Sequence, residues 1–436
     1  MPDLTLAEYR DLLVCLHPLH RTLVSDDMDR AVGMVVDFAR RKLKLSQNQI
    51  RIDEFASGTE VSTWIVPKKY TLKHYFLFEI LDGKERAIIT KDLPVLSVAE
   101  YSRAVDDVFT WDEIDPHLFY SATQPDAIPF VYRFFYRDDF GFGLPKTKYD
   151  SLSRNARFRA RIDADKTDGT LKCLEITIPG THDESFLLMS NLCHPCQVND
   201  SITGVINNLM LIEFFTKNPP RHTLRFGFWP ETVGAHAYFS RLDSQKISLI
   251  KWAIFTEMLG TPGKHALQFT RQGSTLLDRV AEYVLQERNL PYWSGRFLTV
   301  LRNDERVSNG CNLDIPSISL SRTPYPEYHT SSDNPSIIDM AKLKESSEVT
   351  RSIVGILDDD RRLKPTFLGQ PFLTRYGLFH DYTEGPKAEA LNRIQEDVYS
   401  YSDGQTSLFE IAHRFRYDWR DVKEQAERLM KAKLLV

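Results

Sequence analysis

Residues 190–215 contain a histidine and an aspartate whose spacing suits metal binding. His194 follows the apolar run 186–192, and Asp200 comes six residues later, directly before an amphipathic helix pattern. Imidazole nitrogen and carboxylate oxygen are the ligands that zinc takes in hydrolases, usually from three side chains with a water in the fourth position. The order strand, His, loop, Asp, helix therefore predicts a metal site at the carboxyl edge of a parallel sheet.

Two further segments supply the remaining parts of such a site. Glu231 follows the apolar run that ends at Trp229, and His329 lies in a loop after the run that ends near Leu320. A bound metal lowers the pKa of a water molecule, and a nearby glutamate can take the proton. Because ligands bind where parallel strands end, the placement of these residues at successive strand ends predicts one shared site.

Each of these residues also has a purely structural interpretation. A lone histidine after a strand is more often a hydrogen-bonded structural residue than a ligand. Asp200 could simply cap the following helix, and Glu231 could complement a helix dipole. Their joint placement at strand ends is what favours a metal site over these alternatives.

Strand and helix patterns alternate from residue 156 to residue 357. This alternation predicts an α/β fold, with a mostly parallel or mixed sheet covered by helices on both faces. The predicted strands are 171–178, 186–192, 224–229, 249–255, 266–269, 297–300 and 315–320. The predicted helices between them are 201–217, 232–242, 274–287 and 340–357.

Changes in the pattern of apolar and polar residues along the sequence predict how the chain divides into domains. Residues 1–52 and 122–364 are expected to form the α/β domain, and residues 53–121 a small inserted β-rich domain. A Pro- and Gly-containing connector over 365–384 leads to three short amphipathic helices in 385–436, which suggest a winged-helix unit. This last segment has nine Lys/Arg and nine Asp/Glu, so a docking or packing module is favoured over DNA binding.

Composition limits the partners and the compartment. The 436 residues carry a net charge of −5, which gives no reason to expect nucleic acid or an anionic membrane as a partner. No run of about 20 apolar residues is present, and the N-terminal residues do not form a signal-peptide pattern. Five scattered cysteines fit reduced thiols, so we expect a cytoplasmic protein. A homo-oligomer is left open.

Two of the cysteines flank the candidate ligand His194. Cys193 and Cys196 form a C-x-x-C pattern, but a zinc knuckle needs a second pair of ligands at similar spacing, and the sequence lacks one. We therefore expect Cys193 to be a small buried strand residue and Cys196 to line the site.

Several segments resemble the zinc aminopeptidase clan with paired metals, namely His194, Asn199-Asp200, Phe228-Trp229-Pro230-Glu231-Thr232, Thr256-Glu257-Met258-Leu259-Gly260 and Tyr328-His329-Thr330. More closely, the whole chain resembles a bacterial family of aminopeptidase-like proteins. The resemblance implies a zinc-aminopeptidase-like sheet with helices on both faces, a small inserted β domain and a C-terminal winged-helix domain.

Two departures from the clan's pattern bear on the metal. Thr232 stands where the clan has the second glutamate of an adjacent pair, which is a metal ligand, and Glu257 stands where it has a ligand aspartate. We therefore expect one zinc per chain. The resemblance assigns it the ligands His194, Asp200 and His329, with Glu257 as a further candidate ligand, and assigns Glu231 the role of catalytic base.

Five more residues are expected near the site as substrate-binding groups: Asp304, Glu305, Arg306, Arg322 and Tyr325. An arginine could hold a substrate carboxylate bidentately, and an acidic residue could receive a free amino group. A structural ion pair is the alternative role for these residues.

The function implied is hydrolysis of an amide bond in a small peptide or amino-acyl conjugate through a metal-activated water. Two alternatives stay open. A single-zinc cyclase or amidohydrolase on the same fold would keep the metal and change the reaction. A catalytically inactive binding or scaffold protein would keep only the fold, and Thr232 favours it.

Overall fold

The computed structural model of the chain describes residues 3–381, 383 and 385–436. Tyr382 and Glu384, which fall in the predicted connector, and Met1 and Pro2, at the start of the first predicted domain, lie outside the described residues. The chain divides into two compact units, the first ending at Arg351 and the second beginning at Ser352.

The described residues form sixteen strands. They are β1 (Ile50–Ala56), β2 (Glu60–Val61), β3 (Trp64–Ile65), β4 (Lys69–Leu81), β5 (Lys84–Ile89), β6 (Val105–Phe109), β7 (Leu118–Phe119), β8 (Phe142–Gly143), β9 (Arg157–Thr167), β10 (Thr170–Ile178), β11 (His182–Asn191), β12 (His222–Trp229), β13 (Ile250–Thr256), β14 (His265–Gln268), β15 (Tyr292–Gly295) and β16 (Ser317–Ser321).

The same residues form thirteen α-helices, and none of these is long and apolar enough to cross a bilayer. They are α1 (Leu6–Leu16), α2 (Asp26–Arg41), α3 (Trp111–Ile114), α4 (Lys146–Asp150), α5 (Ile202–Lys217), α6 (Val233–Ser240), α7 (Ser244–Ser248), α8 (Leu276–Glu287), α9 (Glu305–Ser308), α10 (Met340–Asp359), α11 (Pro386–Tyr401), α12 (Leu408–Phe415) and α13 (Trp419–Lys431).

An eight-stranded mixed sheet forms the core of the first unit, in the order β1-β10-β12-β11-β13-β16-β14-β15. Its four central neighbours, β12, β11, β13 and β16, run parallel to one another. Residues 186–189 of β11 are all buried, as expected for a strand covered on both faces. The α/β fold predicted from the alternating patterns is confirmed.

One predicted strand is wrong. Residues 297–300 form a turn, in which the Thr299 backbone N–H donates to the Arg296 carbonyl oxygen at 3.1 Å. The strand of this region lies earlier, at β15, where it pairs in parallel with β14. Short apolar runs beside polar turns carry too little periodicity to separate these two placements.

A second sheet of four antiparallel strands lies in the order β5-β4-β9-β6. The predicted boundaries of the inserted domain differ from it at both ends, because β1 belongs to the large sheet and β9 lies beyond residue 121. In β9 the buried residues Phe158, Ala160 and Ile162 alternate with less buried neighbours. That period of two was present in the sequence and predicts a half-buried strand.

The second unit contains the three helices predicted for its C-terminal part. Ile394, Val398, Ile411, Val422 and Leu429, all at predicted apolar positions, are buried. The start of the predicted connector is paired rather than simply extended, because the Thr366 backbone N–H donates a 3.0 Å hydrogen bond to the Leu434 carbonyl oxygen and Pro365 forms a β-bridge with Leu435. Such a pairing beside three helices is the arrangement of a winged helix.

The first turn of α5 approaches β13 so closely that only glycine fits at residue 204. A Cβ atom there would lie 2.0 Å from the carbonyl oxygen of Thr256 and 3.1 Å from the Ser190 Cβ. A backbone carbonyl cannot move aside without disturbing the strand. Gly204 therefore sets the distance between the helix that follows Asp200 and the sheet.

We expect Gly204→Ala to destabilise the protein by about 3 kcal/mol, because the added methyl group overpacks the helix against the strand. The thermal unfolding midpoint should fall by about 5 °C or more. Gly33→Ala is the matched control, since Gly33 lies in α2 and a Cβ there meets nothing within 4 Å. Equal midpoints for the two variants would contradict the close approach.

Candidate active site

The parallel strands bring the predicted site residues to one edge of the sheet. His194 lies three residues beyond β11, Glu231 two residues beyond β12, and Glu257 directly follows β13. His329 lies in the loop after β16. Because these four strands are parallel neighbours, their carboxyl ends meet at the same edge.

His194, Asp200 and His329 form a compact group of metal-ligating side chains. Each offers one ligand atom, and these atoms all lie within 4.8 Å of one another. His329 Nε2 lies 3.0 Å from Asp200 Oδ2, but it is buried and has no hydrogen bond of acceptable geometry. Two imidazoles and a carboxylate with an unsatisfied ring nitrogen are a donor set that fits zinc.

Two glutamates stand beside this group. Glu231 Oε2 lies 3.4 Å from His194 Nε2, and its side chain is 30% exposed, so it can reach a molecule in the cavity. Glu257 is buried, and its Oε2 accepts a hydrogen bond of 3.0 Å from Asn303 Nδ2. The structure thus brings together all the residues expected to bind a metal and the expected base.

The edge concentrates negative charge. Burial raises the pKa of Glu257 well above its usual value, and the charges of Asp200 and Glu231 raise it further. Burial would likewise raise the pKa of Asp200, but the charge of His194 lowers it. Burial opposes the charged form of His194, whereas Asp200 raises its pKa well above normal. Three carboxylates facing two imidazoles are an environment that a cation stabilises.

The loop that carries His194 is held by a buried arginine. The Arg21 side chain is fully buried, and burial lowers its pKa to about 10, which leaves it charged at neutral pH. Its nitrogens donate hydrogen bonds of 2.6 to 3.1 Å to the carbonyl oxygens of Leu16, Leu192, Cys193, His194 and Gln197. No sequence pattern indicates this role, since a single arginine in a loop is an ordinary feature.

Asp333 holds the other end of the same loop. Its carboxylate accepts hydrogen bonds from the backbone N–H groups of Val198, Asn199 and Asp200 at 2.7 to 3.2 Å. It also accepts one of 2.7 Å from the hydroxyl of Tyr325. Asp333 therefore fixes Asp200 relative to the loop that carries His329.

Aromatic rings fix the two histidines from the cavity side. The His329 ring stacks on Tyr328 with centroids 3.9 Å apart, and Phe130 meets it edge-on at 5.2 Å. Phe130 also contacts His194 edge-on at 5.3 Å, and its backbone N–H donates to the His329 carbonyl oxygen at 2.8 Å. Phe130 could not be anticipated from the sequence, because the residues that it contacts are remote along the chain.

The backbone is strained where the loops leave the sheet. His194, Met258 and His329 have φ angles of 76°, 52° and 54°, and Thr232 has φ 62° and ψ −69°. Positive φ is costly for residues other than glycine, most of all for a β-branched one, and is typical of functional sites.

A cavity of about 500 Å³ opens above the edge. It is lined by Leu23, Trp64, Glu100, Phe130, Tyr132, Phe135, Tyr136, Cys193, His194, Asp200, Glu231, Thr232, Val233, Glu257, Leu301, Arg302, Asn303, Arg306, Tyr328 and His329. The volume suits a small molecule, with aromatic walls and a few polar groups. Glu100 was not anticipated from the sequence.

Of the five predicted substrate-binding residues, Arg306 lines the cavity and the other four do not. Asp304 accepts hydrogen bonds from Trp229 Nε1 and from the Thr232 backbone at 2.9 and 2.8 Å. The remaining three contact other protein groups: Glu305 contacts Gln268, Arg322 contacts Glu345 and Ser346, and Tyr325 contacts Asp333. These four hold loops in place, so the prediction mistook buried structural groups for cavity residues.

The C-x-x-C pattern does not form a separate metal site. In the part of the chain that the structure describes, the group of three or more ligating side chains contains neither cysteine. Cys193 is buried and its Sγ lies 3.4 Å from His194 Nδ1. Cys196 packs in an apolar cluster with Phe130 and Ile128 instead of lining the cavity, as had been expected.

Comparison with protein families gives two matches that together span most of the chain. Residues 10–360 match the domain of unknown function DUF4910. The chain belongs to the DUF4910 family. Residues 361–436 match a winged helix-turn-helix family, which confirms the predicted winged helix and includes the whole of the predicted connector at 365–384.

Relatives of this DUF4910 protein carry an aminopeptidase-like fold. A Clostridium acetobutylicum protein, 27% identical over 432 residues with 98% of this chain and 96% of its own covered, is described as a candidate polysaccharide biosynthesis protein with an aminopeptidase-like domain. The crystal structure of a candidate peptidase from Clostridium acetobutylicum has a TM-score of 0.85 at 26% identity, covering 99% of this chain and 96% of its own.

More distant structures show the same fold. BSAP, a zinc aminopeptidase from Bacillus subtilis, has a TM-score of 0.57 at 12% identity, covering 80% of this chain and 93% of its own. An M28 peptidase precursor from Shewanella amazonensis has a TM-score of 0.56 at 12% identity, covering 80% and 92%. The predicted resemblance to the zinc aminopeptidases is confirmed at the level of the fold.

Glu100→Gln should remove a pH-dependent loss of stability. Burial raises the pKa of Glu100 from 4.5 to about 7, so between these pH values the unfolded chain releases a proton that the folded protein keeps. The free energy of unfolding of the wild type should therefore fall by about 3 kcal/mol as the pH rises through this window. Glutamine does not ionise, so the variant should lack this contribution.

Chemical denaturation at pH 4, 5, 6, 7 and 8 measures the effect in both proteins. Glu60→Gln, at an exposed position in β2, is the control and should follow the wild type. If the free energy of unfolding changed with pH in the same way for the wild type and Glu100→Gln, the Glu100 carboxyl would have the same proton affinity in the folded and unfolded states, contrary to the prediction.

Proposed function

We propose that the protein is a zinc-dependent aminopeptidase-like hydrolase that cleaves an amide bond next to a free amino group in a small peptide or amino-acyl conjugate. The observation that carries the proposal is the group of His194, Asp200 and His329, whose ligand atoms lie within 4.8 Å of one another. Glu231 lies 3.4 Å from His194 in the same cavity. The fold that it shares with zinc aminopeptidases supports this assignment.

In this proposal His194, Asp200 and His329 hold one zinc ion, with Glu257 as a further ligand. When bound, zinc lowers the pKa of a water molecule and polarises a substrate carbonyl. Thr232 supports a single metal, because its hydroxyl accepts a 3.0 Å hydrogen bond from Arg306 and offers no carboxylate. A guanidinium at that point also disfavours a second cation nearby.

Glu231 is proposed as the catalytic base. Its carboxylate is partly exposed to the cavity and close to His194. It takes a proton from the attacking water and passes it to the nitrogen of the leaving amine, so that the amine departs neutral. Cys193 Sγ accepts a 3.1 Å hydrogen bond from the Glu231 backbone N–H, which helps to fix the position of this residue.

The free amino group of the substrate is proposed to bind at Glu100. This carboxyl lines the cavity but lies outside the group at the sheet edge, and its side chain is buried. The aromatic side chains of Trp64, Tyr132 and Tyr136 form the neighbouring wall. A cavity of about 500 Å³ limits the bound part of the substrate to a small group, which favours peptides of a few residues or amino-acyl sugars.

Because of the name of the Clostridium acetobutylicum relative, amide-bearing sugar conjugates are of particular interest as candidate substrates. The five free cysteines of this chain support a reducing compartment such as the cytoplasm.

The alternative of a binding or scaffold protein is favoured by Thr232, and it would stand if the protein bound peptides without turnover. A cyclase would release ammonia or water from its substrate, which product mass distinguishes from hydrolysis.

Metal analysis tests the ligand set. Purified protein loaded with zinc and then desalted should retain about one zinc per chain, as expected for three side-chain ligands. His194→Ala should lose it, because the variant keeps only one of the two imidazole ligands and its remaining donors are carboxylates, a weaker set for zinc. His182→Ala is the control, since His182 begins β11 at the opposite end of that strand. Elemental analysis of the three proteins decides, and retention of zinc by His194→Ala would exclude this ligand set.

Activity tests the base. Glu231→Gln should lower kcat for hydrolysis of amino-acyl amides by about 1000-fold, because the amide cannot accept the proton of water. Zinc content should be unchanged, since Glu231 is not one of the proposed ligands. N-acetylation of the substrate should abolish turnover by the wild type, because it removes the amino group that Glu100 receives. Unchanged kcat in Glu231→Gln would rule out this role.

A further inference from the structure

The cavity above the sheet edge continues into a groove. A second cavity of about 490 Å³ shares Leu301, Arg302 and Tyr328 with the first. A third, of about 560 Å³, shares Leu298, Thr299 and Arg302 with the second. Arg302 lines all three cavities, so it stands at the point where the first cavity opens into the groove.

The groove is lined by positive charge. Arg302 and Arg306 line the first cavity, and Arg271 and Arg296 line the third. Among the residues that line the second and third cavities there is no aspartate or glutamate. This contrasts with the first cavity, whose carboxylates lie at the sheet edge and at Glu100.

The two arginines of the first cavity have neutral partners. Arg306 Nη2 donates a 3.0 Å hydrogen bond to the hydroxyl of Thr232, and Arg302 Nε donates a 3.4 Å one to the carbonyl oxygen of Leu298. Arg271, by contrast, is paired with Asp314. Across the described part of the chain, no carboxylate forms an ion pair with Arg296, Arg302 or Arg306. Their charges therefore remain available to a bound molecule.

We propose that the part of the substrate beyond the scissile amide carries an oxyanion, a carboxylate or a phosphate, which Arg302 and Arg306 bind. The planar guanidinium fork matches both anions, because it can donate two parallel hydrogen bonds. The orientation rests on the proposed function: the amino end lies at Glu100, and the leaving part points into the groove, where Arg296 extends the positive lining.

Binding of four probes tests the proposal. The probes are the C-terminal amides of Ala-Glu, Ala-Gln, Ala-phosphoserine and Ala-Ser, so that the side chain carries the only acidic group. Titration calorimetry measures the affinity of each probe for zinc-loaded full-length Glu231→Gln, a variant chosen because it should not turn the probes over. We expect the acidic member of at least one pair to bind about tenfold more tightly than its neutral counterpart. The pair with the larger ratio identifies carboxylate or phosphate as the preferred anion.

Variants locate the effect. The double variant Arg302→Gln/Arg306→Gln should reduce the ratio of acidic to neutral probe affinity to near one. The double variant Arg302→Glu/Arg306→Glu should bind the neutral probe more tightly than the acidic one. Arg30→Gln is the matched control, because Arg30 lies on the exposed face of α2 and pairs with Asp27. It should retain the full ratio. In Glu231→Gln with both arginines intact, the ratio of acidic to neutral probe affinity should also shrink at high salt, since these arginines are exposed.

The outcome separates this proposal from the proposed function. Charge-dependent binding that the arginine variants abolish supports the oxyanion site, even in a protein without hydrolytic activity. Hydrolysis of amino-acyl amides with equal binding of acidic and neutral probes overturns the oxyanion site and leaves the hydrolase in place. Retention of the full ratio in the double Gln variant also overturns it.

Discussion

The loop between β11 and α5 depends on two buried charged side chains that satisfy its backbone from opposite sides. Arg21 donates to the carbonyl oxygens of Leu192, Cys193, His194 and Gln197, and Asp333 accepts from the N–H groups of the next three residues. Burying a charge is costly unless it is well hydrogen-bonded, and both residues meet that condition. Because this loop carries both His194 and Asp200, the geometry of the whole sheet edge follows from these contacts.

The residues at the edge could be predicted from the sequence because their signal is local. A polar residue directly after an apolar run marks the carboxyl end of a strand, and parallel strands bring such ends together. The supporting residues have no such signal. Arg21 acts from 171 to 176 residues away on the loop, and Phe130 reaches the histidines only in the folded protein. Asp304 and Glu305 were predicted to bind substrate, whereas both are fully buried among hydrogen-bond donors. Charge alone does not reveal whether a loop turns inward.

Charge is distributed unevenly over the cavity and its groove. Carboxylates gather at the sheet edge and arginines gather where the cavity opens. Thr232 joins the two regions, because it follows Glu231 in the chain and accepts a hydrogen bond from Arg306. A neutral hydroxyl at this position leaves the guanidinium uncompensated, whereas a carboxylate would have neutralised it. The hydroxyl of Thr232 therefore supports both proposals, the single metal ion and the anionic substrate.

The cavity wall opposite the sheet edge comes from a different stretch of chain. The residues of this wall all precede β9, and they are Trp64, Glu100, Phe130, Tyr132 and Tyr136. The residues proposed to bind metal and to act as base follow β9. The proposed amino-group site at Glu100 therefore lies on a different stretch of the chain from the proposed metal ligands and base, whereas the arginines proposed to bind an oxyanion lie on the same stretch as those ligands. Changes at Trp64 or Tyr136 can alter the contents of the cavity without removing the contacts that Phe130 and Tyr132 make with the two histidines. Such a separation lets a fold diversify in its ligands faster than in its reaction.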